Sequence, residues 1–128
     1  MSNPRIQFFL RNLKNSQWRV REESAEALGE VGDTEAVPYL IDALQDKNWH
    51  VREAAALSLG LMDDERAVGP LTKVLDDPKA NVRYGAALAL SSVGNETALL
   101  KLQKLTSDEH EIVRKMASFA VDEIKKNI

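Results

Sequence analysis

The sequence predicts an all-α fold, a side-by-side stack of eight helices. Three observations carry that prediction. A Val-Arg pair recurs at 20/21, 51/52, 82/83 and 113/114, a step of 31 residues each time, and a fixed period of this size marks a repeat architecture. Folding the chain on that step aligns two apolar stripes of helical spacing in each unit. Cap-forming and turn-forming residues fall at the same points between the stripes, so the turns are short and no strand is needed.

The two helices of a unit are termed A and B. The A stripe begins as Val20, Ser24, Ala27, Leu28 and Val31, one face of a helix. It continues as Val51, Ala55, Ser58, Leu59 and Met62, then Val82, Ala86, Ala89, Leu90 and Val93, then Val113, Ala117, Ala120, Val121 and Ile124. Small side chains in these columns let neighbouring helices approach closely. The B stripe reads Val37, Leu40, Ile41 and Leu44, then Val68, Leu71, Thr72 and Leu75, then Leu99, Leu100, Leu102 and Leu105. One period upstream stand Ile6, Phe9, Leu10 and Leu13, an extra B helix. The expected partition of a single domain over 1–128 is therefore a lone B helix at 1–14, repeats at 15–45, 46–76 and 77–107, and a terminal A helix at 108–128.

Punctuation repeats with the stripes. Asn15, Asp46, Asp77 and Asp108 are expected to cap the A helices, with Pro78 in a first helical position and Asp108 and Glu111 at capping-box spacing. Ser2, Asp33, Asp64 and Asn95 are expected to cap the B helices, with Glu35, Glu65 and Glu96 in their first turns. Gly32 and Gly94 fit left-handed positions after an A helix, and Asp63 takes that place in the second unit.

Composition bounds the function. The chain has 128 residues, one domain's worth, with 44% hydrophobic and 29% charged residues, an ordinary soluble mix. A net charge of −3 counts against general nucleic-acid binding. With no cysteine there is no disulfide, thiolate metal site or cysteine nucleophile. No apolar run reaches membrane-spanning length, so no membrane partner is expected and the cytoplasm is the expected location.

The pattern Val-Arg-x-x-Ala-Ala-x-Ala-Leu-Gly followed by Gly-Asp-x-x-Ala-Val-x-x-Leu resembles the short HEAT-like repeat first associated with phycobilin lyases. Val20, Arg21, Ala25, Leu28, Gly29, Gly32, Asp33, Ala36, Val37, Pro38 and Leu40 carry it best, and the third unit departs at Ser91 and Leu100. The resemblance implies a right-handed α-solenoid, an armadillo-like superhelix of about four repeats, with B helices lining the concave side. Deoxyhypusine hydroxylase is similar in repeat type and builds a di-iron site from four His-Glu pairs. The matching positions here are Glu22-Glu23, Glu53-Ala54, Tyr84-Gly85 and Lys115-Met116, none with histidine, so that activity is not expected.

Four groups of residues are candidates for a role. Arg21, Arg52, Arg83 and Arg114 form an unbroken column. It reads as a structural ladder pairing with an inter-helix aspartate such as Asp33, Asp46, Asp64 or Asp77, because the arginine fork bonds carboxylates and loop carbonyls together. Along the B helices, Phe8, Tyr39, Pro70 and Lys101 form one column and Arg11, Asp42, Lys73 and Lys104 the next. Assigned to the concave groove, Phe8, Arg11, Tyr39, Lys73, Lys101 and Lys104 suit an extended acidic peptide or a partner helix. Along the A helices the acidic line Glu22, Glu26, Glu30 becomes Glu53, Leu57, Leu61, then Tyr84, Leu88, Ser92, then Lys115, Phe119, Glu123. Leu57, Leu61, Tyr84, Leu88 and Phe119 would then make an apolar patch on the convex surface, a homodimer contact if exposed. The alternative is that helix rotation buries it. His50 and His110 read as surface residues, and Trp18 and Trp49 as packing against the preceding B helix.

No reaction centre stands out, so the expected function is a non-enzymatic scaffold that binds another protein or peptide, with no cofactor and no metal. The runner-up, from the resemblance alone, is a phycobilin-lyase-like accessory or chaperone that binds a tetrapyrrole or its acceptor. Nucleic-acid binding along the groove is the third reading, weakly allowed by Arg11, Lys73, Lys101 and Lys104 and opposed by Asp42.

Overall fold

The structure, a computed structural model, describes residues 3–128. Among them the chain forms eight α-helices and no strand. The A helices are α2 (Trp18–Val31), α4 (Trp49–Met62), α6 (Ala80–Val93) and α8 (Glu111–Lys125). The B helices are α1 (Pro4–Asn12), α3 (Val37–Ala43), α5 (Val68–Val74) and α7 (Leu99–Leu105). Both stripes turn inward: Leu28, Leu59 and Leu90 of the A helices and Leu40, Leu71 and Leu102 of the B helices are wholly buried between the two layers. Stripe residues at the margins, Ala27, Thr72 and Leu105 among them, are half-buried, and one stripe residue is exposed. Val20 is also half-buried, at the start of the first A helix in the row. Leu100 is 65% exposed, because Ala98, Leu99 and Leu102 take the inward positions in its unit.

The helix starts correct the expected caps. Asp46, Asp77 and Asp108 stand two residues before the N-caps, which are Asn48, Lys79 and His110. Their carboxylates accept from the backbone N–H of those cap residues at 2.9–3.0 Å, and Asn15 accepts likewise from Gln17. These are turns of the Asx kind, not helix caps. Pro78 therefore lies in the turn rather than in the helix, and Asp108 and Glu111 form no capping box. Ahead of the later B helices, Asp33, Asp64 and Asn95 each cap a 3-10 turn, Thr34–Ala36, Glu65–Ala67 and Glu96–Ala98. The acids Glu35, Glu65 and Glu96 belong to those turns and not to the α-helices. For α1 the cap is Asn3, whose side chain accepts from the Arg5 N–H; Ser2, the expected cap, lies outside the described residues.

After the A helices, Gly32 (φ 73°) and Asp63 (φ 52°) are left-handed. Gly94 is not, with φ −64° and ψ 158°. Its glycine answers a different demand. A Cβ there would lie 2.4 Å from the Leu90 carbonyl oxygen and 2.8 Å from Ile124 Cδ1, so the last turn of α6 itself, whose backbone cannot give way, excludes a side chain, and the Ile124 tip of α8 adds to the crowding.

Backbone packing groups the helices as α1 with α2, α3 with α4, α5 with α6 and α7 with α8. Each B helix pairs with the A helix that follows, so the first B helix and the last A helix both sit in complete pairs. Consecutive A helices also run in close contact along their length, whereas consecutive B helices hardly approach one another. Side-chain size is the cause. A Cβ on Gly29 would lie 2.3 Å from Ser58 Oγ, and one on Gly60 only 2.8 Å from Ala89 Cα, whereas leucine, valine and isoleucine separate the B helices.

This difference in spacing fixes the curvature. A stack of repeats bends toward its more closely spaced layer, so the A helices line the inner face and the B helices the outer. The expected assignment is therefore reversed. Leu57, Leu61, Tyr84, Leu88 and Phe119 belong to the inner, concave side, and Phe8, Arg11, Tyr39, Lys73, Lys101 and Lys104 to the outer, convex side.

Candidate functional site

The inner face is held in place by the loop edge at the start of the A helices. Arg21 Nε and Nη2 donate to the two carboxylate oxygens of Asp46 at 2.8 and 3.1 Å, and Nη1 donates to the Asn15 carbonyl at 2.8 Å. Arg52 repeats the arrangement with Asp77 and the Asp46 carbonyl. Arg83 repeats it with Asp108 and the Asp77 carbonyl. Each aspartate thus offers its carboxylate to one unit and its carbonyl to the next. Arg114 donates to the Asp108 carbonyl at 2.8 Å and, among the described residues, has no carboxylate partner. Asp33 and Asp64, named beside Asp46 and Asp77 as partners, are not part of this rail: Asp33 accepts from the Glu35 N–H and Asp64 pairs with exposed Arg66.

Charge on the rail is satisfied. Burial opposes ionisation of Asp46, but the Arg21 hydrogen bonds, the Asn48 N–H and the Arg21 and Lys47 charges outweigh it and hold its carboxyl below the usual range. Asp108 is lowered against the same burial by Arg83 and the His110 N–H.

The inner face itself changes along the row. On α2 it carries Glu22, Glu26 and Glu30, one helical turn apart, with Glu23 beside them. Glu53 begins the line on α4. None of these five carboxylates has an ion-pair partner among the described residues. Burial raises the Glu26 carboxyl above its ordinary value, and repulsion from Glu22, Glu23 and Glu30 adds to it. Burial likewise raises Glu53, helped by Glu22 and Glu26 and opposed by His50.

Past this acidic end the face becomes apolar. Leu61 is 73% exposed and Phe119 50%, while Leu57, Tyr84 and Leu88 are half-buried. The expected patch is thus partly sunk, and two of its sunken members, Leu57 and Leu88, help to line a groove. Between α4 and α6 a depression of about 260 Å³ is lined by Leu57, Gly60, Leu61, Leu88, Ala89 and Ser92. A second depression of about 260 Å³, between α2 and α4, shares Leu57 and Leu61 and adds Glu22, Glu26, Glu30 and Glu53. Glycine and alanine floor the first groove because the A helices must pack closely there, and the leucines stand up as its walls.

The outer face is more dispersed. Phe8 and Tyr39 are exposed, and Phe8 sets its ring edge-on to Phe9. A hollow of about 430 Å³ between α3 and α5 has Ile41, Leu44, Pro70 and Val74 at its base with Lys73, Asp76 and Asp77 around it. Lys101 is bonded to Asp76. Arg11, Lys73 and Lys104 are exposed and alternate with Asp42 and Asp76, so they form no continuous basic stripe.

Sequence reasoning missed one cluster. His50 is not a plain surface residue. Its ring is stacked between Trp18 at 4.4 Å and Trp49 at 3.7 Å, and its Nδ1 lies 3.1 Å from Asn48 Oδ1. Lys79 Nζ covers the outer side of Trp49 at 4.9 Å from the ring centroid. The signal was present, since Trp18 and Trp49 are one period apart and His50 adjoins the second. The other histidine, His110, is exposed beside Glu109.

The architecture is shared with solved structures. An engineered protein is 23% identical over 94% of this chain and 62% of its own, with a TM-score of 0.70. The complex of CpcE and CpcF of phycocyanin lyase from Nostoc sp. PCC7120 gives 20% identity over 98% of this chain and 67% of that one, with a TM-score of 0.73. Human deoxyhypusine hydroxylase gives 25% identity and a TM-score of 0.81 over 98% of this chain but 45% of its own. The chain thus spans 45–67% of the length of these proteins. No curated protein matches the sequence, and no helix among the described residues is long and apolar enough to cross a membrane. A sequence model of HEAT repeats matches residues 6–80 and again 58–122, and with the paired helices and their stacking this chain belongs to the HEAT-repeat family.

Proposed function

We propose that this chain is a protein-binding module and that its inner, A-helix face is the surface that grips the partner. One observation carries the reading: exposed Leu61 stands with Leu57 and Leu88 as the wall of a groove, and exposed Phe119 follows one period beyond Leu88, on a face that the first unit keeps wholly acidic. Contiguous exposed apolar surface is costly in water and marks interfaces. A rigid stack with small residues between its A helices presents that surface with little ordering cost on binding.

The test is a photoreactive amino acid placed at position 61, 88 or 119 on the inner face, or at 39 or 73 on the outer face, in cells expressing the protein. The reading expects adducts from the inner positions and few from the outer ones. Adducts confined to 39 and 73 would move the site to the hollow at Ile41, Leu44, Pro70 and Val74. An adduct of twice the chain mass would make a homodimer the partner.

A lyase-like accessory role draws support from the phycocyanin-lyase complex, whose likeness extends to the fold. Absorbance with an added bilin separates it from the first reading, since a new visible band would favour it. Nucleic-acid binding draws on Arg11, Lys73 and Lys104 alone. Interspersed Asp42 and Asp76 weaken it, and steep salt-dependent DNA binding would be needed to restore it.

A further inference from the structure

The groove between α2 and α4 has two unlike walls. On one stand Glu22, Glu26 and Glu30; on the other Ala54, Leu57 and Leu61, with Glu53 at the entrance. The apolar wall asks for apolar side chains. The acidic wall asks for cations, because none of its carboxylates is paired among the described residues. An occupant must therefore show two chemistries on adjacent flanks.

Backbone chemistry selects the occupant's conformation. The walls are helix side chains, and a helix spends its own N–H and C=O groups internally. An extended peptide laid here finds no sheet edge to pair with and leaves backbone groups unpaired against leucine. A helix satisfies its own backbone and offers two flanks at once, the helix-in-groove mode of recognition. The spacing agrees. Carboxylates four residues apart on α2 recur about every 6 Å along the axis, the same interval as cations at i, i+4 and i+8 on a helix lying alongside.

We infer that the inner face takes a partner's amphipathic helix, lying along the α2–α4 groove with lysine or arginine at i and i+4 toward α2 and an apolar row toward Leu57, Leu61 and the adjoining Leu88. The inference rests on the inner-face reading above and adds the partner's chemistry and orientation to it.

A displayed library of random 18-residue peptides on a helix-favouring scaffold tests it. Selection runs on the wild-type chain and on two variants of exposed residues, Leu61→Glu and Glu26→Lys, which keep the core intact. The expected winners are basic, with Lys or Arg at i and i+4 beside an apolar row. A representative winner should lose about tenfold in affinity on each variant and weaken as salt rises. Neutral or acidic winners that still fail on Leu61→Glu overturn the basic helix and leave the inner-face reading standing. Winners indifferent to both variants, or no enrichment over a bare surface, overturn the two together. A wild-type dimer by light scattering that Leu61→Glu turns into a monomer makes a second copy the occupant and overturns the partner helix.

Discussion

The loop edge and the inner face are built from the same four A helices, and they treat the repeat in opposite ways. At the edge, Arg21, Arg52 and Arg83 make the same bonds in succession, each to an aspartate 25 residues on and a carbonyl six residues back. On the inner face no two units agree: three glutamates on α2 give way to leucines on α4, tyrosine and leucine on α6, and lysine and phenylalanine on α8. Positions that repeat are those that join a unit to the next. Positions that vary are those no neighbour needs, and there the chain is free to fit something else. The comparison predicts that substitutions at the edge cost stability, and substitutions on the face cost binding.

The largest effect belongs to the rail. Arg83→Ala leaves the half-buried Asp108 carboxylate without its charged partner, held only by the His110 N–H, and removes a second bond to the Asp77 carbonyl. Breaking a buried pair from one side costs about 3 kcal/mol, or roughly 10 °C in the thermal midpoint at this chain length. Arg114→Ala removes a single carbonyl bond and should cost about 1 kcal/mol. Thermal unfolding followed by circular dichroism compares the two. Equal losses would show that the carboxylate contributes nothing to the rail.

The next largest effect separates the layers. Gly60→Ala puts a methyl 2.8 Å from the Ala89 Cα, where backbone must move, and overpacking of this kind costs about 2 kcal/mol. In the B layer, a Cβ on Gly69 meets nothing within 4 Å. Gly69→Ala should therefore stabilise α5 by about 0.5 kcal/mol through helix propensity. Opposite signs for the two substitutions, read from denaturant midpoints, would support A helices packed tightly on the inside and B helices set apart on the outside. Matching signs would remove the reason for placing the A layer within.

The helices were legible in the sequence because their apolar period is local and repeats four times. Two things were not. The aspartates before the A helices look like caps by type and position, but the helix begins two residues later, since each carboxylate is held by an arginine 25 residues upstream. That partner is distant in sequence, and spacing by itself left four aspartates as candidates. The inner and outer faces were also exchanged. Their assignment depends on which layer packs more closely, and the small residues in the A columns, Gly29, Ser58, Gly60 and Ala89, already held that information. The acidic-to-apolar change on the A helices was fully visible, because a departure from a repeat can be seen against its own chain.

Leu61→Glu sharpens the comparison from the side of the face. Leu61 is 73% exposed, so its loss should leave stability within about 0.5 kcal/mol of wild type while binding on the inner face falls. A large loss of stability would mean that the leucine serves packing.

The smallest effect is electrostatic, and its sign runs against the rail's. The Glu26 and Glu53 carboxyls lie above their ordinary values in the folded chain. Folding thus favours their protonated forms, and that contribution, complete at low pH, is lost as pH rises through their folded values. Asp46 and Asp108 lie below their ordinary value, so their contribution is present above the unfolded value of about 4 and is lost as pH falls further. Stability should therefore rise slightly as pH falls from neutral toward the ordinary glutamate range, then drop below about 4 as the rail protonates. Glu26→Gln should remove part of the rise and stabilise the chain at neutral pH by about 0.3 kcal/mol, a small figure because Glu26 is exposed and water screens the repulsion. Thermal midpoints across that pH range, for wild type and variant, measure both limbs. A variant no more stable than wild type at pH 7 would mean that neither burial nor the neighbouring glutamates Glu22, Glu23 and Glu30 penalise the Glu26 charge appreciably.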